Sequence, residues 1–166
     1  DGYAYTQKKV FELLVAAKFA SAGLKIDFGT KADLRINLED FTVYVECKRP
    51  QSSHQINSNI KGALSQLEER YKSHDGAKNP RGIIAISLTK ILNPDQEILV
   101  ARNTESLHST TEKMLDRFHN DYKSKWFLPR DTKSIGAMIY FSVPTSVEDE
   151  NIIAHSHQID FTNCCD

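Results

Sequence analysis

The strongest constraint on the fold lies in residues 33–48, where apolar and polar side chains alternate. Apolar residues occupy every second position from Leu34 to Leu38, and again from Val43 to Cys47. A period of two predicts β-strands. Glu39 and Asp40 separate the two runs and predict a tight turn, so the segment is expected to form an antiparallel hairpin.

The polar face of this hairpin carries charged groups. Glu46 and Lys48 are two residues apart and therefore project side by side. Asp33 begins the partner strand and is expected at the same end of the sheet. These charges are costly on one surface unless something binds them, and a divalent metal is the obvious candidate. Without metal, like charges raise each other's pKa, so Asp33→Asn is expected to melt at or above the wild-type temperature.

The composition is that of one globular domain. The 166 residues are 40% hydrophobic and 26% charged, enough for a sizeable core. The net charge of −1 gives no global attraction to nucleic acid, so any phosphate-binding surface must be local. Three cysteines favour a reducing compartment, and we expect a cytoplasmic protein. No apolar run approaches the length of a membrane span. Because the chain begins with Asp, we expect it to be a piece of a longer protein.

The remaining patterns predict alternating helices and strands. Residues 89–103 are ambiguous between a strand and a helical turn around Asn93-Pro94. The continuous apolar run at 83–88 is typical of a strand buried on both faces in a parallel or mixed sheet. The other predicted elements are a helix at 6–22 capped by Thr6 and stopped by Gly23, a short strand at 24–28, a helix at 56–71, a helix at 104–122 closed by Trp126 and Pro129, a strand at 135–143 ended by Pro144, and a strand at 152–161.

Two helical residues have both a structural and a functional interpretation. Glu12 is the only acid of the first helix, and it is either solvated beside Lys8 and Lys9 or a third carboxylate that reaches the hairpin site. Gln66 lies beside the apolar stripe of its helix, so it is either a half-exposed helix residue or part of the site.

Further polar residues are weaker candidates. Arg49, Lys61 and Arg70 form either a solvated surface or a local phosphate-binding track. His155 and His157 have the spacing of two metal ligands, but a zinc site needs a third or fourth ligand that the sequence does not indicate.

The order of these elements, with Asp33 on one strand and Glu46-Cys47-Lys48 on the next, resembles the PD-(D/E)XK nuclease superfamily. The resemblance covers about the first 90 residues. It implies a restriction-endonuclease-like α/β fold, in which a mixed β-sheet is flanked by α-helices. It also implies that Asp33 and Glu46 bind one or two divalent metals, usually Mg²⁺ with Mn²⁺ as a substitute, while Lys48 assists the attacking water. The residue before Asp33 is Ala32, not the Pro of the superfamily pattern.

The resemblance also suggests additional site residues. Some branches of the superfamily add a Glu from the first helix, and Glu12 matches this position. Other branches carry a Gln and a Tyr on the helix after the Lys strand; Gln66 and Tyr71 are similar, with a spacing that departs by one residue. Cys47 is expected to be a buried structural thiol, and it also falls among the predicted metal-binding positions, which are Asp33, Glu46, Cys47 and Glu12.

These observations lead to three functional hypotheses. The first is a Mg²⁺-dependent DNA endonuclease, with DNA as partner and with a homodimer or further domains as possible assemblies. The second is a catalytically silent domain of the same fold that binds nucleic acid or a partner protein. The third is an unrelated α/β binding domain in which the charged residues form a solvated sheet surface.

Overall fold

The computed structural model describes residues 2–28, 32–73, 76–122, 125 and 133–163. It shows an α/β protein with a mixed seven-stranded sheet flanked by helices. A short 3-10 turn at Ser53–Gln55 precedes the second helix. The elements in chain order are α1 (Gly2–Ser21), β1 (Ile26–Asp27), β2 (Leu34–Asn37), β3 (Thr42–Lys48), α2 (Ile56–Tyr71), β4 (Arg81–Ser87), α3 (Thr89–Leu92), β5 (Leu99–Ala101), α4 (Thr104–Tyr122), β6 (Ser134–Val147) and β7 (Ile152–Asn163).

The sheet combines an antiparallel start with a parallel centre. β1, β2 and β3 pair antiparallel, with Leu34 opposite Val45. β3, β4 and β6 then run parallel, with Lys48 opposite Ile86. β5 pairs parallel to the last part of β6, and β7 pairs antiparallel along almost the whole of β6. The start of β2 and the ends of β3 and β4 therefore meet at one edge of the sheet.

Two hydrophobic cores cover the two faces of the sheet. On one face, Phe11 and Val15 of α1 pack against Val45 and Cys47 of β3. On the other face, α2 and α4 pack through Leu64 and other apolar residues onto the sheet. β4 is buried on both sides, as its continuous apolar sequence predicts.

Most predicted elements are confirmed, but some boundaries differ. α1 begins at Gly2, so Thr6 lies inside the helix and is not its cap. Gly23 follows the end of α1 with φ of +82°, a left-handed conformation that favours glycine. The predicted strand at 24–28 is reduced to two residues in β1. The ambiguous segment forms α3 and β5, and the predicted helix stop at Trp126 and Pro129 lies outside the described residues.

The prediction that Pro144 ends the sixth strand is wrong, because β6 continues through it. The N–H of Leu88 donates to the carbonyl of Tyr140, and the N–H of Ser142 donates to Thr89 Oγ1. Alternate residues of β6 thus direct their backbone polar groups towards β4. Pro144 faces the same side, but it lies after Tyr140, the last residue paired with β4, and before Thr145, the first residue paired with β5. Its missing N–H therefore costs no hydrogen bond of the sheet.

Within the described residues, no helix is long and apolar enough to span a membrane.

Candidate active site

The hairpin places Asp33, Glu46 and Lys48 at the same edge of the sheet. Glu46 and Lys48 share the β3 face that packs against α2, because each contacts a side chain of that helix. Asp33 precedes β2, and its Oδ2 accepts a hydrogen bond of 2.8 Å from the backbone N–H of Cys47. This bond fixes Asp33 beside the end of β3. The structure therefore brings together the three residues that the hairpin pattern predicts.

Glu12 reaches the same edge from α1. Its side chain is only 4% exposed, which argues against the solvated interpretation. Lys8 Nζ lies 3.5 Å from Glu12 Oε1 and 3.1 Å from Asp33 Oδ1, so a single ammonium connects the two carboxylates. Lys9 Nζ contacts the other oxygen, Glu12 Oε2, at 2.6 Å. Lys8 thus bridges Glu12 and Asp33.

Lys8 is the residue of this cluster that the sequence analysis missed. Burial alone would lower its pKa, but the hydrogen bond to Asp33 and the charges of Asp33 and Glu12 outweigh burial, and the pKa is raised. Lys8 therefore remains an ammonium at neutral pH. The spacing of four residues from Glu12 is the one signal in the sequence, and it predicts a helical ion pair without indicating the bridge to Asp33.

Glu46 is the carboxylate of the site whose charge is most strongly disfavoured by its surroundings. The residue is 2% exposed. Burial, and then the charge of Asp33, raise its pKa to about 7, although Lys48 and Arg70 partly offset them. The expected repulsion between carboxylates thus raises the pKa of Glu46. Asp33, in contrast, has an ammonium and a backbone N–H as partners, so Asp33→Asn is not expected to stabilise the metal-free protein.

Two residues of α2 complete the site. Lys48 Nζ donates a hydrogen bond to the side-chain carbonyl of Gln66, which places Gln66 in the site and not merely beside the apolar stripe. Arg70 Nε lies 3.5 Å from Glu46 Oε1 in an ion pair without a hydrogen bond, and its side chain is 13% exposed. Arg70, predicted as part of a solvated surface or of a phosphate-binding track, thus has its guanidinium beside a buried carboxylate.

Cys47, another predicted metal-binding position, is a buried core thiol. Its side chain is fully buried on the α1 side of the sheet, as expected for a structural thiol. Burial, followed by the charges of Asp33, Glu12 and Glu46, raises the pKa of the thiol well above its ordinary value. Since only a thiolate is a good metal ligand, burial disfavours ligation by this side chain in the metal-free protein. Its backbone N–H holds Asp33 instead.

The other predicted residues lie farther from the carboxylates. Arg49 follows Lys48 and is half-buried. Lys61 is exposed and lies roughly 140° around α2 from Gln66, so it does not reach the site. Tyr71 contacts Ser134 Oγ at 3.3 Å, beyond the carboxylate cluster.

His155 and His157 are neighbours on β7, but their Nδ1 atoms contact hydroxyl groups. His155 Nδ1 lies 2.8 Å from Ser142 Oγ, and His157 Nδ1 lies 2.7 Å from the Tyr140 hydroxyl. These contacts assign the two rings to a polar cluster of the sheet.

The site offers oxygen ligands, although its side chains are not arranged around an ion. No group of three or more His, Cys, Asp or Glu side chains in the described segments is assembled to hold a metal. However, Glu12 Oε1 and Glu46 Oε1 are buried and accept no hydrogen bond. Each has only a cationic side chain at 3.5 Å, and buried carboxylate oxygens without a hydrogen bond are costly. They are also the hard ligands that Mg²⁺ prefers, so Glu12, Asp33 and Glu46 fit a divalent cation chemically.

A first prediction concerns Lys8, which in this arrangement supplies the positive charge between Glu12 and Asp33. We expect Lys8→Ala to lower the stability of the metal-free protein by no more than about 1 kcal/mol, because the ammonium is partly exposed. Added Mg²⁺ should then raise the melting temperature of the variant more than that of wild type, since the ion no longer competes with the lysine. Thermal melts in chelator and in Mg²⁺ measure both effects. Lys18→Ala, an exposed lysine at the end of α1, is the control. An equal rise of the melting temperature in Mg²⁺ for wild type and both variants would show that Lys8 does not compete with a bound cation.

Comparisons with known proteins find no relative of this chain. No family model matches the chain, and neither a curated protein nor a solved structure matches it. The assignment of function therefore depends on the residues of the site and on their geometry.

Proposed function

We propose that the protein is a Mg²⁺-dependent DNA endonuclease with a restriction-endonuclease-like fold, in the manner of the PD-(D/E)XK superfamily. The observation that carries this proposal is the meeting of Asp33, Glu46 and Lys48 at one sheet edge. Glu12 joins them through the ammonium of Lys8, which bridges it to Asp33. Acids from three elements beside a lysine form a set that suits phosphodiester hydrolysis.

Glu12, Asp33 and Glu46 are the residues that would hold the cation. Lewis acidity towards a phosphoryl oxygen and towards water would come from the cation when it is bound. The protein contributes a dry, oxygen-rich setting, because Glu12 and Glu46 are almost completely buried. It also contributes Arg70, whose charge lowers the cost of an ionised Glu46.

Lys48 supplies the positive charge beside the reacting phosphate. Its ammonium donates one hydrogen bond to Gln66, which leaves two N–H groups for a water molecule or a phosphoryl oxygen. A donor that is held in place before the reaction stabilises negative charge as it develops in the transition state. Gln66 is thus a positioning residue for Lys48.

A catalytically silent nuclease-fold domain is the second candidate. It is favoured by Lys8, whose ammonium already pairs with both Glu12 and Asp33 in the absence of metal. Such a domain would bind nucleic acid or a partner protein without cutting.

A plasmid assay separates the two candidates. We expect the wild-type protein to nick or linearise supercoiled plasmid in Mg²⁺ or Mn²⁺ and to be inactive in excess chelator. Asp33→Asn should be inactive in Mg²⁺, because it removes a carboxylate from the site. Asp27→Asn, which changes an exposed acid on β1, is the matched control and should remain active. Binding of plasmid without cleavage under all metal conditions would support the silent domain and contradict the endonuclease.

A further inference from the structure

A cleft of about 360 Å³ lies beside the proposed active site, between α1 and strands β4, β6 and β7. Arg49, which directly follows Lys48, lines it, and so does Gln7, which precedes Lys8. Arg49 follows β3 and Ser87 ends β4, so the cleft lies on the α1 face of the sheet at the same strand ends as the carboxylate cluster. Its volume lies at the lower end of the range of about 300–1,000 Å³ for small-molecule pockets, which suits one nucleotide better than a duplex.

The two walls of the cleft differ in character. On α1, Val10 and Leu14 present apolar surface to it and remain 51% and 36% exposed. On the sheet side, the rings of His155 and His157 are stacked, with centroids 5.4 Å apart and an interplanar angle of 30°. The cleft thus combines an apolar wall with aromatic rings, a lining that suits a planar heteroaromatic group.

The histidines are oriented to offer hydrogen bonds. Because Ser142 and Tyr140 engage Nδ1 of His155 and His157, Nε2 is the nitrogen that each ring offers to a ligand. Burial, and then the neighbouring His155, lower the pKa of His157, so this ring is neutral at pH 7. None of the described residues that line the cleft is acidic, whereas Arg49 is cationic. The cleft therefore suits a group attached to an anionic chain.

We propose that this cleft receives one unpaired nucleobase of the strand that is cut, which makes the preferred substrate single-stranded or locally opened DNA. The inference rests on the proposed function, because a DNA strand with a phosphate beside Lys48 on the α2 face would cross the end of β3 and bring the adjacent nucleotide to Arg49 and the cleft on the α1 face. In an intact duplex both faces of a base are covered by its neighbours, so the base must be unpaired or extruded to enter. Stacking on aromatic rings accepts any base, so the cleft gives a preference for DNA structure and not for sequence.

Binding in chelator tests this proposal without interference from cleavage. Fluorescence anisotropy compares three probes: a short single-stranded oligonucleotide, its duplex, and an oligomer of abasic deoxyribose phosphates of equal length. We expect wild type to bind the single strand about tenfold more tightly than either of the other probes. Val10→Glu places a carboxylate in the cleft and should remove this preference. Leu13→Glu, which adds the same charge at a 59% exposed position of α1 outside the cleft, should retain it.

A second variant addresses the sheet wall. The double change His155→Ala and His157→Ala should reduce single-strand affinity about tenfold without changing affinity for the abasic oligomer. Equal wild-type affinities for base-bearing and abasic probes, or equal effects of Val10→Glu and Leu13→Glu, would overturn the proposal. Plasmid cleavage by wild type in Mg²⁺ is measured in parallel. Cleavage without a base preference overturns this inference alone, whereas a base preference without cleavage overturns the endonuclease and supports the cleft.

Discussion

Lys48→Ala is expected to lower the rate of DNA cleavage about 100- to 1,000-fold, the usual cost of removing one preorganised donor to transition-state charge. Affinity for Mg²⁺ should remain close to that of wild type, because a protonated lysine is not a metal ligand. Gln66→Ala should lower the rate by less, since Lys48 keeps its charge and loses only its hydrogen-bonded partner. Cleavage rates at saturating Mg²⁺, together with Mg²⁺ titrations, measure the two effects separately.

Lys61→Ala is the matched control for this experiment. It removes an exposed lysine from the far flank of α2, and cleavage should be unchanged. If Lys48→Ala also abolished Mg²⁺ binding, Lys48 would hold the site together and would not act in the reaction step. If Lys48→Ala cut DNA at the wild-type rate, the assignment of its role would be wrong.

Glu46→Gln is expected to stabilise the metal-free protein at pH 8 by up to about 3 kcal/mol and to have little effect at pH 5. The pKa of Glu46 rises from its ordinary 4.5 to about 7 in the folded protein, mainly because of burial and then because of Asp33. Between these two values the folded protein holds a proton that the unfolded chain releases. The stabilisation from this proton is therefore fully present below about pH 4.5 and is lost as the pH rises through about 7.

Urea unfolding in chelator at pH 5 and pH 8 measures this difference. Glutamine has nearly the shape of the protonated acid, so it matches Glu46 at pH 5 and removes a buried charge at pH 8. Glu39→Gln, in the exposed hairpin turn, should show no such dependence on pH. A Glu46→Gln protein that is less stable than wild type at pH 8 would show that the ionised carboxylate is stabilised by its neighbours.

The hairpin was predictable from sequence because strand alternation is a local property. Val43, Val45 and Cys47 face one way and Glu46 and Lys48 the other, because successive side chains alternate across a strand. The antiparallel turn then fixes which end of β2 lies beside β3, and this places Asp33. The geometry of these three residues therefore required only short-range information.

The contacts of Lys8 and Arg70 were not predictable because they depend on how helices pack onto the sheet. Lys8 of α1 reaches Asp33 across 25 residues of sequence, and Arg70 in the last turn of α2 reaches back to Glu46 of β3. Pro144 was misinterpreted for a similar reason. A proline ends a strand only when its missing N–H is needed, and here the neighbouring strand ends before that position.

Calorimetric titration of Mg²⁺ into the metal-free protein at pH 6 and pH 8, in buffers of different ionisation enthalpy, tests the carboxylate site most directly. A cation held by Glu12, Asp33 and Glu46 requires an ionised Glu46, whose pKa is about 7 without metal. We therefore predict tighter binding at pH 8 than at pH 6, release of about one proton per bound ion at pH 6, and loss of that release in Glu46→Gln. Absence of binding of Mg²⁺ and Mn²⁺ at both pH values, or binding with no proton release at pH 6, would contradict the account.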